Sequence, residues 1–314
     1  MATTTATAAP TYRKRFWETR SFQNALTGWL FATPILLFFV IWVFGPILAS
    51  LTMLFFDWNG FGPLAMARFV GIGNIRELMS DDRFMGAFVN TFKYAVITVV
   101  ARNVFGLLLA MALHNVTRFV GFVRAIYYMP VILPGTAMSL LWGLMYQNRY
   151  GIFNQVLIKV GLPRVAWLTD PRWAMISIAI MVIWKGVGWN MVIYLAGLKA
   201  IPEVYYEAAR IDGANAWHQF ARITMPMLRP TLLFTLVMSV IGSLQVFGPV
   251  FILTQGGPAN KTNVVVYNMY LTAFENMRFS YATSQAVALF VVILIITLLQ
   301  MTLLREGGLT SYYD

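Results

Sequence analysis

Glu203, Glu207, Arg210, Asp212 and Arg222 fall within one polar stretch, EVYYEAARIDGANAWHQFARITMP (203–226), of a chain that is otherwise apolar. Glu203, Glu207 and Arg210 are spaced i, i+4 and i+7, which puts all three on one face of a helix. Asp212-Gly213 then offers a bend, and Trp217 and Phe220 an aromatic pair. Residues of this kind make contacts rather than break bonds. They suit either an amphipathic linker resting on lipid or a knob that docks on another protein. A second group lies in apolar surroundings: Arg102, Lys185 with its neighbours Trp189 and Asn190, and Gln245 with Phe247. Charged and amide side chains there need a partner, a cavity or a ligand, and are candidates for the path of a polar solute. No acid/base pair or activated nucleophile accompanies them, so the expected catalytic set is empty. His114 and His218 are isolated and cysteine is absent, so no metal site is expected either.

These residues must be held by membrane helices. The 314-residue chain is 59% hydrophobic and 11% charged, with a mean hydropathy of +0.68. A soluble domain carries about 25% charged residues, so this chain cannot cover a water-facing surface. The net charge of +11 comes from scattered residues, not a basic stripe, and gives no reason to expect a nucleic-acid partner. Six apolar stretches are long enough to cross roughly 30 Å of hydrocarbon. They lie at about 29–56, 87–114, 123–146, 173–198, 229–254 and 283–304. The expected fold is all-α and polytopic, with prolines 34, 46, 130, 134 and 249 inside spans as potential kinks.

Lys and Arg are almost equally divided between alternate connections. The basic cluster Arg13, Lys14, Arg15 and Arg20 beside the first span therefore decides the expected orientation: N-terminus inside, and with six spans the C-terminus inside as well. The organisation expected is a cytoplasmic tail over 1–28, a six-span domain over 29–304 with an inner loop at 199–229, and a cytoplasmic tail over 305–314. In the outer connections, GIFNQVLIKVGL predicts an interfacial helix with Ile152, Val156, Leu157 and Val160 on one face. TQGGPANKT predicts a break that opens a third outer loop over 255–282. In the inner loop Pro202 and Glu203 begin a short helix, Asp212-Gly213 turns the chain, and a second short helix is predicted to end before Pro226.

Glu207-Ala208-Ala209, Asp212-Gly213-Ala214, Phe220, Ile223 and Pro226 resemble the EAA loop of binding-protein-dependent ABC importer permeases. The flank Asn190-Met191…Tyr194-Leu195-Ala196-Gly197-Leu198…Ile201-Pro202 is similar to the carbohydrate-uptake branch of that family. So are Trp167-Leu168, Asp170-Pro171, Gly256-Gly257-Pro258 and the opening PILLFFVIWVFGPILAS…FFDWNG. The resemblance covers residues 28 to 305, and the loop is position-specific over twenty residues. It implies the type I permease fold in its plain six-span form, in a bacterial or archaeal inner membrane.

The resemblance also implies a set of partners: two cytoplasmic ATPase subunits, a second permease that is a different chain, and an extracytoplasmic solute-binding protein. The solute would be a sugar or sugar-like molecule. The chain itself would bind no cofactor, and ATP and Mg would be used by the ATPase; no G-x-x-x-x-G-K-[ST] loop occurs here. By position, Glu203, Glu207, Ala208 and Arg210 would meet the ATPase. Asp212, Gly213 and Ala214 would form the turn, and Phe220 and Pro226 would fix the second half against the membrane core. Arg102, Lys185, Trp189, Asn190, Gln245 and Phe247 remain candidates for the solute path. The competing reading is a stand-alone secondary carrier for a small polar solute, which would call for internal repeats and ion-binding residues. Neither is evident, and no Asp or Glu lies well inside a span.

Overall fold

A computed structural model describes residues 20–63, 66–114 and 120–305. The basic residues Arg13, Lys14 and Arg15 and the tail 306–314 lie outside the described residues. The chain divides after Met53 into two compact units. The first comprises α1 (Arg20–Phe39), a π turn (Val40–Phe44) and α2 (Gly45–Met53), which together supply a 30-residue apolar span, Asn24–Met53. The π turn has a local cause. Pro46 has no N–H to give to the carbonyl four residues back, and its ring would crowd that carbonyl. The Gly45 N–H instead reaches five residues back to Val40, and the helix continues past the proline.

The second unit, from Leu54, opens with a two-residue antiparallel pairing of β1 (Phe56–Asp57) with β2 (Arg68–Phe69). Helical segments build the rest, beginning with α3 (Gly73–Ser80), α4 (Asp82–His114), α5 (Val120–Ile132), α6 (Gly135–Met145), α7 (Ile152–Lys159) and α8 (Ala174–Lys199). Then come α9 (Val204–Ile211), α10 (Ala216–Gln219), a π turn (Phe220–Thr224), α11 (Met225–Leu244), α12 (Gly248–Leu253), α13 (Val265–Tyr270), a third π turn (Leu271–Glu275) and α14 (Phe279–Arg305). The chain is thus an all-α polytopic membrane protein. Five helices are long and apolar enough to cross a membrane, and six if the bent pair α5–α6 counts as one span.

That bent pair falls on the span expected at 123–146, where Pro130 and Pro134 mark potential kinks. The axis turns by 97° at Leu133-Pro134. The halves have 13 and 11 residues, about 20 and 16 Å of helix, so neither crosses the hydrocarbon alone. Pro134 cannot continue α5 and instead caps α6 with φ −56° and ψ 134°. The fifth span is also interrupted: α11 ends at Leu244 and α12 restarts at Gly248-Pro249.

α4, α8 and α11 form the packed centre. Apolar side chains fill it in two clusters, one around Tyr94, Ile178, Val250 and Val264, the other around Ala110, Met191, Tyr194 and Leu228. A line of polar contacts stitches the three helices. The Tyr194 hydroxyl donates to Asn103 Oδ1 (2.6 Å) and accepts from Thr235 (2.7 Å), and Thr98 donates to Ser243 (3.0 Å). In hydrocarbon such interhelical bonds replace the hydrophobic drive that water would supply.

At the end of the bundle opposite α9, the 255–282 segment is largely packed into the bundle. Thr262, Asn263, Val264, Val265, Asn268 and Thr272 are buried. Asn90 donates to the Asn260 and Asn263 carbonyls, and Thr91 Oγ1 receives the Val265 N–H. Asn268 reaches Gln285 on α14. Arg278 forms a two-pronged ion pair with Glu77 at 2.7 Å in each arm, and Tyr281 donates to Asp81. Pairing with Glu77 holds the Arg278 guanidinium even further above neutrality than usual.

α7 exists as predicted, and Ile152, Val156 and Val160 are left exposed, as an interfacial helix requires. Its attachment to the bundle is a residue outside that apolar face. Asn154 is fully buried, donating to the Asn148 and Val165 carbonyls and accepting from the Val165 N–H and Trp167 Nε1. Asn154→Ala leaves those groups unpaired at a cost of about 2–3 kcal/mol. A lower unfolding temperature in detergent, and trypsin cleavage at Lys159, are the expected readouts. Beside it, hydrogen bonds from Arg172 hold the Asp170 carboxyl below the usual carboxylate range.

Candidate functional site

Two features collect the predicted residues. The first is a cavity of about 340 Å³ lined by Arg102 of α4, Val131 of α5, Val182, Lys185, Gly186 and Trp189 of α8, and Met238 and Ser239 of α11. Three sequence candidates, Arg102, Lys185 and Trp189, therefore share one space. Asn190 stands just behind it, 1% exposed, donating across to Ser239 Oγ at 3.4 Å while its own Oδ1 is buried without a partner.

Lys185 is tied to the broken span. Its Nζ donates to the Leu133 carbonyl at 2.7 Å. That carbonyl follows the last residue of α5, where the helix has run out of N–H donors, and a cation suits the negative end of the helix dipole. The ammonium thus fixes the corner of α5–α6 against α8. Arg102 has no equivalent. Its Nε is buried and unpartnered, packed against Gly186, where any β-carbon would overlap the guanidinium.

Gln245 and Phe247 lie elsewhere. Gln245 caps α11 at the break in the fifth span with its side chain exposed, and does not line this cavity. Phe247 lines a separate, mostly apolar hollow of about 350 Å³ with Tyr270, Phe274 and Phe279, its ring 5.3 Å from Phe251 and 5.5 Å from Tyr270. Lining residues that sequence reasoning missed are Val131, Val182, Gly186, Met238 and Ser239. Ser239 repeats at i+4 from Thr235 and to Ser243, a polar stripe on an apolar helix that could have marked α11's inward face.

The second feature is the hairpin α9–α10. α9 ends in a paired capping arrangement: the Gly213 N–H bonds to the Arg210 carbonyl (3.1 Å) and the Ala214 N–H to the Ala209 carbonyl (2.8 Å). This geometry requires the left-handed conformation at Gly213, where φ is +78°. Asn215, not singled out from sequence, caps α10 by accepting the His218 N–H at 2.9 Å. Glu203, Glu207, Ala208, Arg210 and Asp212 are exposed, and Arg210 lies 3.9 Å from Glu203, so these charges share a face. Ile211 and Trp217 project beyond them at 87% and 69% exposure, too apolar and too exposed for a face meant for water. Tyr206 bonds to Thr224 at 2.9 Å and joins the two limbs.

The second limb does not end before Pro226, as predicted. Helix runs on from Ala216 into α11, so the span reads Ala216–Leu253. Pro226 follows the π turn Phe220–Thr224 as Pro46 follows the first one: the Met225 N–H reaches back to Phe220, and the missing proline donor falls where the ladder has already widened. Phe220 and Pro226 are half-buried at this junction.

A polytopic helical bundle with a polar cavity among its central helices, and an exposed hairpin continuous with one of them, is the architecture of a type I importer permease. The chain belongs to the family described as binding-protein-dependent transport system inner membrane component, whose model matches residues 102–305. It is a multi-span inner-membrane permease subunit, and not the ATP-hydrolysing part of the importer. Among its relatives, the lactose transport system permease protein LacF of Rhizobium radiobacter is 35% identical over 96% of this chain and 99% of its own length. The sn-glycerol-3-phosphate transport system permease protein UgpA of Agrobacterium fabrum is 30% identical over 91% and 97%. A chain of a bacterial alginate ABC transporter, solved in complex with alginate pentasaccharide-bound periplasmic protein, matches in fold with a TM-score of 0.80 at 24% identity, covering 93% of this chain and 98% of that one.

Proposed function

We propose that this subunit forms half of the translocation path for a sugar or sugar-like solute, with both termini in the cytoplasm. The observation that carries the reading is the convergence of Arg102, Lys185, Trp189 and, through Ser239, Asn190 on one cavity between four helices. An indole face for stacking beside fixed hydrogen-bonding groups is the chemistry that recognises a polyol, and relatives over 96% and 79% of this chain are named for such solutes. The hairpin faces the cytoplasm and seats in a groove of an ATPase subunit. Glu203, Glu207, Ala208 and Arg210 present the charged face, while Asp212, Gly213 and Ala214 hold the turn. Phe220 and Pro226 join it to α11. Two ATPase subunits use ATP and Mg, a second and different permease chain completes the path, and an external solute-binding protein delivers the sugar.

The test is extraction of the tagged chain from its native membrane, identification of what accompanies it, and assay of the assembly in vesicles. An ATPase, a second permease and ATP-dependent uptake of a sugar delivered by the binding protein are expected. Purification of the chain alone, with uptake driven by an ion gradient in the absence of ATP, would replace the proposal with a stand-alone carrier.

A further inference from the structure

The cavity is cationic, and from this we infer that the solute it accepts is an anionic sugar derivative, a sugar acid or sugar phosphate. The inference rests on the solute-path reading above and adds the charge class. Arg102 and Lys185 both line the space, and no carboxylate does. The carboxylates of the described part of the second unit lie outside the apolar cores of its spans: Asp57, Glu77, Asp81, Asp82, Asp170 and Glu275 in or beside the connections, and Glu203, Glu207 and Asp212 on the hairpin. None of the three ion pairs among the described residues involves Arg102 or Lys185.

Position makes this charge consequential. The remaining walls are Val131, Val182, Trp189 and Met238, apolar side chains that keep the local dielectric low. A guanidinium held there without a counter-ion is costly, and its buried Nε has not found even a neutral acceptor. Lys185 is better satisfied, but the Leu133 carbonyl takes only one of its three N–H groups. An incoming carboxylate or phosphate supplies what both lack. The planar guanidinium matches two oxygens of either group, the ammonium adds a point charge beside it, and the Ser239 hydroxyl and Trp189 ring remain for the sugar. At about 340 Å³ the cavity is at the small end of ligand sites and suits one or two sugar rings.

The experiment uses the complete importer, with its ATPase and second permease, in nanodiscs. Matched pairs differing in one charge are titrated without binding protein, so that the membrane site alone is read: glucuronate against glucose, and glycerol 3-phosphate against glycerol, followed by saturation-transfer NMR. At least tenfold tighter binding of one anionic member over its neutral counterpart is expected. Arg102→Gln is expected to remove that preference, and Arg102→Lys to retain part of it in a protein of the same charge, which separates loss of recognition from loss of folding. Equal binding of glucose and glucuronate, unchanged in Arg102→Gln, overturns the anionic assignment while leaving the sugar path intact. So does an anion preference of under twofold with Arg102→Gln failing to assemble with the second permease, which would make Arg102 a partner for that chain's carboxylate. Absence of binding by any of the four, in an importer whose ATPase responds to a non-sugar solute, removes the proposed function itself.

Discussion

An importer carrying Gly213→Val is expected to leave the membrane without its ATPase, whereas Gly213→Asn keeps it. The β-carbon at this position meets nothing within 4 Å, so crowding is not the issue. The cost is in the backbone: φ of +78° is disfavoured for a β-branched residue by about 1–2 kcal/mol or more, and asparagine tolerates it. A valine there relaxes toward negative φ and loses the two capping bonds to Arg210 and Ala209. The two limbs then no longer meet at their present angle. Because 1.4 kcal/mol is tenfold in an equilibrium, co-purifying ATPase is expected to fall at least tenfold in the valine variant. Retention of the ATPase at wild-type stoichiometry, with solute-stimulated hydrolysis intact, would show that hairpin shape is irrelevant to coupling.

The second large effect is expected at Gly106→Leu. Here the backbones of α4 and α8 approach closely. A β-carbon at 106 falls 2.6 Å from the Asn190 β-carbon and 3.2 Å from the Met191 backbone nitrogen. A side-chain tip could swing aside, but a helix backbone cannot, so α4 and α8 must separate. Overpacking of this kind costs about 1–3 kcal/mol even in cores that can yield. Separation would also break the Tyr194–Asn103 bond next to it. A large drop in the temperature at which the solubilised protein aggregates is expected. Gly242→Ala on α11, with nothing within 4 Å, should be neutral or raise stability by up to about 1 kcal/mol. Equal behaviour of the two variants would mean that α4 and α8 are not in this contact in the assembled protein.

The spans and the hairpin turn were legible because single residues forced them. Apolar length demands a membrane, and Asp212-Gly213 offers the one backbone state that reverses a helix cheaply. The corner at Leu133-Pro134 was only partly legible: prolines 130 and 134 promise a kink, but neither its 97° size nor the bond from Lys185, fifty-two residues away, to the Leu133 carbonyl can be read from them. Pro226 misled because a proline reads as a stop only if the preceding turn is α-helical. The packing of the 255–282 segment was not legible because several of its buried positions are Thr and Asn, polar in any pattern yet satisfied by Asn90, Thr91 and Gln285. Of the solute-path candidates, those on α4 and α8 converge because their helices pack together. Gln245 and Phe247 sit where α11 has broken, and neither lines this cavity.

The continuous helical run from Ala216 to Leu244 makes the hairpin limb and the cavity wall two ends of one element. Ser239 stands twenty residues beyond Gln219, roughly 30 Å along the axis. Pivoted near the limb, a tilt of about five degrees sweeps Ser239 through roughly 2–3 Å, enough to break its 3.4 Å hydrogen bond to Asn190. The π turn sits at the fulcrum, and its one surplus residue sets the two ends about 100° out of phase with an ordinary helix. Deleting any one residue from Phe220 to Thr224 would therefore spin the polar stripe Thr235–Ser239–Ser243 away from α4 and α8 without altering a single side chain in it.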